Sequence, residues 1–343
     1  MIVRWWHEDV ELTVPGAPRP RVFVTRQLPG DALDRLRGEA EVDVWPDELP
    51  PPRERLLDAV TDADGLLCLL TDRIDGELLA AAPRLRVVST MAVGHDNIDV
   101  AACTRRGVVV GHTPGVLTET TADFAFALLL AAARRVVEGD RAVREGRWRT
   151  WRPSFLLGRD LFGATLGIVG LGAIGQAVAR RARGFDMRLL YADPRRKTEV
   201  ERALGVEHVT FDELLAVCDF VSVHAPLTPQ TRHLFDDAAF AKMKPAAVFV
   251  NTSRGAVVDE VALHRALETG RIAAAAIDVA EREPLPKSDP LLRLPNLIVT
   301  PHIASASVAT RERMAALAVD NLLAGLAGQT PRHCVNPEAL DGP

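Results

Sequence analysis

From Arg21 onward the apolar positions fall into two alternating rhythms. Short, nearly unbroken apolar runs at Val22–Thr25, Gly65–Leu70, Val87–Met91 and Val108–Gly111 have the length and composition of strands buried on both faces. Between them, Asp31–Arg37 and Gly76–Ala82 read as helices. Thr118–Glu145 predicts one long helix, opening on Thr-Glu-Thr-Thr with cap hydroxyls and an early acid. A second strand series follows at Thr165–Val169, Arg188–Ala192, Phe220–His224, Ala247–Asn251, Ala274–Asp278 and Leu297–Thr300, with helices between most of them. A final helix is expected from Ala306 to Leu326. Strand–helix alternation of this kind predicts parallel sheets covered by helices on both faces.

The pattern therefore predicts an α/β chain of two doubly wound, Rossmann-like parallel-sheet domains, with the active site in the cleft between them. Its 343 residues suffice for two cores. The final helix has no strand to lead into, so it is expected to cross back and make the first domain discontinuous. The expected division is an extension over 1–20, a first, discontinuous domain over 21–115 and 301–335, and a second domain over 116–300. Pro284-Leu285-Pro286 and Pro290 suggest a rigid loop.

Composition narrows the function classes. A formal net charge of -5 gives no electrostatic support for binding nucleic acid or an anionic membrane. The four cysteines, Cys68, Cys103, Cys218 and Cys334, lie far apart and form no C-x-x-C pair, which suits a reducing compartment. The first twenty residues lack the unbroken apolar core of a secretory signal. The longest apolar run, Phe124–Ala133, is about half a membrane span and reads as a buried helix. A cytoplasmic protein is expected. No H-E-x-x-H or Cys/His cluster suggests a metal.

Gly170-Leu171-Gly172-Ala173-Ile174-Gly175 matches G-x-G-x-x-G between an apolar strand and a helix start. In that setting Gly170 permits the tight turn, Gly172 lets a pyrophosphate approach the backbone, and Gly175 lets helix and strand pack closely. The helix N-terminus then favours the phosphate charge. Asp193 ends the next strand, 18 residues beyond Gly175. A carboxylate there can accept from the ribose hydroxyls and would repel a 2′-phosphate, so NADH is expected over NADPH. Arg195, Arg196 and Lys197 could offset that repulsion. Read alone, Asp193-Pro194 is an ordinary strand-closing turn.

Three further residues stand just beyond predicted strands: Arg254, Glu283 and His302. Ligands of open α/β sheets bind at the carboxyl ends of strands. Arg suits the carboxylate and carbonyl of a 2-oxo acid, because its charge is permanent and its donors planar. His can supply the proton an alkoxide needs after hydride transfer, and a neighbouring Glu stabilises imidazolium. Singly, each has an ordinary reading as a surface or turn residue; their shared position behind a nucleotide motif makes them a candidate triad.

At these residues the chain resembles the D-isomer-specific 2-hydroxyacid dehydrogenases. The matching segments are VGLGAIGQAVARR at 169–181, VHAPLTPQTRHLF at 223–235, FVNTSRGAVVDE at 249–260, AAAIDVAEREPLP at 274–286 and VTPHIASAS at 299–307. The resemblance implies that Arg254 binds substrate, Glu283 raises the pKa of the histidine, and His302 donates the proton. It implies that STMAVGHDNID at 89–99 is a substrate loop, whose Val93 and Gly94 N–H groups take the substrate carboxylate. It also implies a cofactor site of Thr121, Gly170, Gly172, Ala173, Ile174, Gly175, Asp193, His224, Pro226, Thr231, Thr252, Asp278 and Ala304.

RVFVTRQLP at 21–29, GLLCLLTDRID at 65–75, GHTPGVLTETTADFA at 111–125 and GRWRTWRP at 146–153 resemble the glyoxylate/hydroxypyruvate reductase branch. In that branch the second Trp of such a segment, here Trp151, reaches the partner's active site in a homodimer. An aromatic anchor within a dimer interface is the other reading of Trp151. Ala173 and Ala304 depart from the usual Arg and Gly, and Asp193-Pro194 replaces the Ser-Arg or Gly-Arg of NADPH-using relatives. The Ser89–Val93 stretch lacks the phosphate-holding Arg of phosphoglycerate dehydrogenases, and Glu283 stands where formate dehydrogenases carry Gln. A 2-ketogluconate reductase and a dinucleotide-sensing corepressor-like scaffold are the alternatives.

Overall fold

The computed structural model describes residues 18–340. The expected extension over 1–20 lies outside them, apart from its last three residues. The described residues divide into two compact units, one running up to Thr113 and resuming at Met314, the other Pro114–Arg313.

The first unit is a five-stranded parallel sheet of β1 (Arg21–Val24), β2 (Glu41–Val44), β3 (Gly65–Cys68), β4 (Val87–Thr90) and β5 (Val109–Gly111). The spatial order is β2-β1-β3-β4-β5, with Val22 opposite Val42 and Val24 opposite Leu67. The C-terminal part of the helix Val308–Leu326 packs on this sheet. Ser89 Oγ donates to Ala318 O at 2.7 Å, and Asn321 Nδ2 donates to His112 O at 2.8 Å. Gly65, Gly111 and Gly325 leave no room for a Cβ free of tight contact at this interface: a Cβ on Gly325 would lie 2.6 Å from the Val87 side chain.

The second unit is a seven-stranded parallel sheet of β6 (Thr165–Val169), β7 (Arg188–Ala192), β8 (Val206–His208), β9 (Phe220–Val223), β10 (Val248–Asn251), β11 (Ala274–Ile277) and β12 (Leu297–Val299). Its order is β12-β11-β10-β9-β6-β7-β8. The order reverses at β6, where Val169 pairs with Ala192 on one side and Val223 on the other. The apolar runs are unbroken because both faces are covered. Along β10, Phe249 enters one core with Phe235 and Phe240, while Val248 and Val250 enter the other with Leu129 and Val178.

The α/β class and paired parallel sheets are as the alternation predicts. Three local features differ. The edge strands β2 and β8 were not among the expected strands. Edge strands pair on one side only, and these are short, with polar residues exposed: Glu41 and Asp43 in β2, Glu207 and His208 in β8. The single helix expected over Thr118–Glu145 is two, Thr118–Ala133 and Val136–Arg144. Between them Arg135 takes a left-handed φ of 55°. The Ala133 carbonyl accepts the Arg159 N–H at 2.8 Å, and Gly158 approaches so closely that a Cβ would meet that carbonyl oxygen at 2.4 Å. A distant segment thus ends the first helix, with no Gly or Pro at the break. The last helix begins at Val308 rather than Ala306, with the Thr310 N–H donating to Ser307 Oγ.

Candidate active site

The glycine turn follows β6, at the switch point of the second sheet. Gly170 has φ +90°, and a Cβ there would sit 2.8 Å from the His224 backbone. A Cβ on Gly175 would sit 2.3 Å from Gly170 O, so helix and turn touch through hydrogen. Gly172 differs: nothing lies within 4 Å of its Cβ position and its φ is ordinary. Neither the backbone nor the packing demands glycine there, whereas close approach by a ligand would. Gly172 caps the helix Ala173–Ala182, whose first turn carries no acid, and Ala173 and Ile174 occupy its first positions. That end is suited to an anion.

Asp193 follows β7 and its carboxylate is heavily used. Oδ2 accepts the Leu171 N–H at 3.0 Å and pairs with Lys197 Nζ at 3.0 Å, while Oδ1 accepts the Arg195 N–H at 3.1 Å. Burial pushes the carboxyl up, but these N–H donors and the ammonium outweigh it and hold it below the usual carboxylate range. Arg196 is committed elsewhere, with Nε and Nη2 each 3.0 Å from Glu201.

His224 follows β9, and its Nε2 lies 2.8 Å from Ser222 Oγ. Burial lowers its pKa to about 4, so the ring is neutral near pH 7. Thr231 Oγ1 donates to Pro226 O at 2.6 Å and closes the following loop. Thr121 is buried on the helix Thr118–Ala133. Thr252, just past β10, has a buried hydroxyl without a protein partner, as a ligand-facing group would. The open Gly172 position, the helix N-terminus and this orphaned hydroxyl fit a dinucleotide.

The three titratable candidates follow β10, β11 and β12. After β10, Asn251 Nδ2 donates to Arg254 O at 2.9 Å, and Asn251 Oδ1 accepts the Ser253 N–H at 3.0 Å. This turn places Arg254, whose Nη1 also donates to Ser253 O at 2.9 Å. Gly255 comes next, and a Cβ there would lie 1.9 Å from the Ala280 carbonyl carbon. The turn bearing Arg254 is therefore pressed against the loop bearing Glu283. In that loop Glu283 Oε1 accepts the Ala280 N–H at 3.0 Å, and Glu260 Oε1 accepts the Glu281 N–H at 2.7 Å.

Glu283 Oε2 lies 2.8 Å from His302 Nδ1. Burial raises the Glu283 pKa, but the His302 hydrogen bond and charge, the Ala280 N–H and the Arg254 charge outweigh it. The carboxyl is held below its usual range and is ionised at neutral pH. An ionised carboxylate only accepts, so Nδ1 carries the hydrogen of that bond and Nε2 is left to exchange a proton.

His302 adopts a left-handed φ of 56°, a conformation costly for a residue with a Cβ. Asp278, almost fully buried, holds it there. The His302 N–H donates to Asp278 O at 2.8 Å, and the Asp278 carboxylate accepts from Ile303 N, Ala304 N and Thr300 Oγ1. Asp278 was expected among the cofactor residues; its carboxylate is engaged in bracing the histidine turn, a role visible only once β11 and β12 pair. Gly255 was also not singled out. Its only trace in the sequence is a glycine directly after a candidate Arg, a sign of close backbone approach.

In the first unit the loop after β4 carries Val93 and Gly94, both half-buried. The Thr113 N–H donates to Ala92 O at 2.8 Å, and His112 Nδ1 donates to Val93 O at 2.8 Å, which fixes that ring's tautomer. Asn97 Nδ2 donates to Leu69 O and Asp72 O. Trp151 stands 80% exposed in a stretch without helix or strand.

Residues 126–304 match the model of the D-isomer specific 2-hydroxyacid dehydrogenase, NAD binding domain. A glyoxylate reductase of Korarchaeum cryptofilum is 54% identical over 323 residues, covering 94% of this chain and 97% of that one. A Thermus thermophilus protein of known structure is 50% identical, with a TM-score of 0.87 over 92% of this chain and 99% of its own. An NADPH-dependent glyoxylate/hydroxypyruvate reductase from Sinorhizobium meliloti, solved with NADP and malonate, is 33% identical, with a TM-score of 0.81 over 94% and 98%.

Proposed function

The chain belongs to the D-isomer specific 2-hydroxyacid dehydrogenases, of the glyoxylate reductase type, and on that premise we propose how its residues divide the reduction of glyoxylate to glycolate, or of hydroxypyruvate to D-glycerate. The observation that carries this reading is the 2.8 Å pair of Glu283 and His302, with the Arg254 charge acting on Glu283.

Arg254 and the Val93 and Gly94 N–H groups hold the substrate carboxylate. A nicotinamide dinucleotide held there would supply the hydride that reduces the carbonyl carbon. His302 Nε2 gives the proton to the carbonyl oxygen, and Glu283 stabilises the imidazolium that must be present beforehand. Asp278 keeps the imidazole aimed by bracing its turn. The Gly170–Gly175 turn takes the pyrophosphate. Thr121, His224, Pro226, Thr231, Thr252 and Ala304 line the rest of the cofactor site. With NADH fixed, glyoxylate and hydroxypyruvate are expected to be turned over with higher kcat/KM than 2-ketogluconate. The reverse order in initial-rate assays would transfer the chain to the sugar-acid reductases. A corepressor-like scaffold is not favoured, given relatives that are glyoxylate reductases.

NADH is the preferred cofactor. Asp193 meets the ribose hydroxyls, and Pro194 stands where a 2′-phosphate would need a cation. Lys197 partly neutralises Asp193, so the kcat/KM preference is expected to be about tenfold, corresponding to ~1.4 kcal/mol. Equal use of both cofactors would remove Asp193 from the ribose.

The working unit is a homodimer in the cytoplasm. Residues 136–162 expose Val136, Val143, Trp148, Trp151, Leu157 and Phe162, an apolar series uncommon on a monomer's surface. Among the described residues no helix is long and apolar enough to cross a membrane. Sedimentation is expected to give a dimer; a fully active monomer would contradict both the dimer and any role of Trp151 in trans.

A further inference from the structure

The N–H groups of Val93 and Gly94, in the loop after β4, belong to peptides whose carbonyls are both held from behind. The Val93 N–H shares a peptide with Ala92 O, which accepts the Thr113 N–H at 2.8 Å. The Gly94 N–H shares a peptide with Val93 O, which accepts from His112 Nδ1 at 2.8 Å. Both peptides are trans, so the carbonyl and N–H of each point in opposite directions. Holding the carbonyl therefore aims the N–H away from residues 112 and 113. Accepting a hydrogen bond also polarises the amide and strengthens its N–H as a donor.

The two anchors differ in kind. Thr113 uses its backbone, as any residue but proline could. His112 uses its ring, so the aim of the Gly94 N–H depends on the side chain at position 112. That peptide has the greater need of an anchor, because glycine permits backbone rotations that a Cβ would block.

His112 is itself built in. Its N–H donates to His333 O at 3.1 Å, and its carbonyl accepts from Asn321 Nδ2 at 2.8 Å. Asn321, fully buried on the last helix, also accepts the His333 N–H through Oδ1 at 3.3 Å. The His95 ring stands edge-on to that of His112, with centroids 5.5 Å apart. The last helix and the segment after it thus fix the residue whose ring fixes the loop.

We infer that His112 is a positioning residue of the substrate site: through Val93 O it aims the Gly94 N–H at the carboxylate of a 2-oxo acid. This rests on the reading that the Val93 and Gly94 N–H groups take that carboxylate. The role involves no proton transfer, and the bond survives protonation of the ring, because Nδ1 carries hydrogen in imidazolium as well.

The test compares His112→Leu, which removes the donor, with His112→Asn, whose side-chain amide can place an N–H near the position of Nδ1. In the full chain with saturating NADH, His112→Leu is expected to raise both KM for glyoxylate and Ki for oxalate, an unreactive carboxylate probe, about fivefold to tenfold, with kcat within about threefold. His112→Asn should recover most of that loss. NADH affinity should stay within about twofold, since the glycine turn proposed for its pyrophosphate belongs to the other unit. Unchanged KM and Ki in His112→Leu would overturn the inference. So would His112→Asn as impaired as His112→Leu, a loss confined to kcat, or a parallel loss of NADH affinity, since each marks a merely structural role. Should His112→Leu fail to fold by its melting curve, His112→Ala takes its place with the same expected results. Gly94→Pro deletes the N–H itself and tests the underlying reading; Ki for oxalate is expected to rise at least about tenfold. If Gly94→Pro binds oxalate as wild type does, the carboxylate reading fails and the inference with it. If Gly94→Pro weakens oxalate while His112→Leu does not, the reading stands and the role of His112 alone fails.

Discussion

Replacing His302 with glutamine is expected to lower kcat for glyoxylate reduction at least ~100-fold, about 2.7 kcal/mol of transition-state stabilisation, while NADH affinity stays within about threefold. Glutamine can keep an N–H directed at Glu283, and the clamp on this turn is largely independent of the side chain. The N–H groups of residues 302, 303 and 304 all donate to Asp278. What the amide cannot do is release a proton to a developing alkoxide. The loss should therefore fall on the chemical step and largely spare cofactor binding, since the proposed pyrophosphate contact is the glycine turn after β6, separated from β11 and β12 by β9 and β10, and the turn that carries Ala304 stays braced by Asp278. An unchanged melting temperature would show that the turn survives. Near-wild-type kcat would remove His302 from proton delivery.

The second large effect is expected from Arg254→Lys, a change that conserves charge. Arg254 sits on a turn shaped by Asn251 and pressed by Gly255 against the Ala280 backbone, so its position is closely fixed. A guanidinium in a fixed position can meet a carboxylate and a neighbouring carbonyl with two planar donors; an ammonium is a point charge and cannot. A fall in kcat/KM for glyoxylate of roughly 100-fold is expected, the order associated with losing a charge-assisted two-point contact. Because the Arg254 charge also helps hold the Glu283 carboxyl down, and lysine keeps that charge, the pH dependence should change less than the rate. Steady-state kinetics that match wild type would assign Arg254 a structural role.

The linear sequence exposes much of this site because each part of it follows a strand. The glycine turn, Arg254, Glu283 and His302 are each anchored by an apolar run that can be read directly, and Glu283 and His302 stand 2.8 Å apart because β11 and β12 are neighbours. Features that depend on distant segments are hidden. The helix break at Arg135 is made by Gly158 and Arg159, and nothing at positions 134 and 135 signals it. Asp278 could be read as a strand-end acid but not as the brace of the His302 turn, since its partners lie more than twenty residues on. Asp193 and the cations after it are legible; that Arg196 is taken by Glu201 while Lys197 turns to Asp193 depends on rotamers. Edge strands β2 and β8 were missed because one-sided pairing leaves polar residues in them.

The configuration of the product tests the account most directly. With hydroxypyruvate and NADH, chiral chromatography of the reaction mixture should show D-glycerate alone: in the proposed arrangement Arg254 would hold the carboxylate and His302 the oxygen, which presents a single carbonyl face to the hydride, and membership of the D-isomer specific family sets which enantiomer is expected. L-glycerate, a racemic product, or no glycerate at all would contradict it.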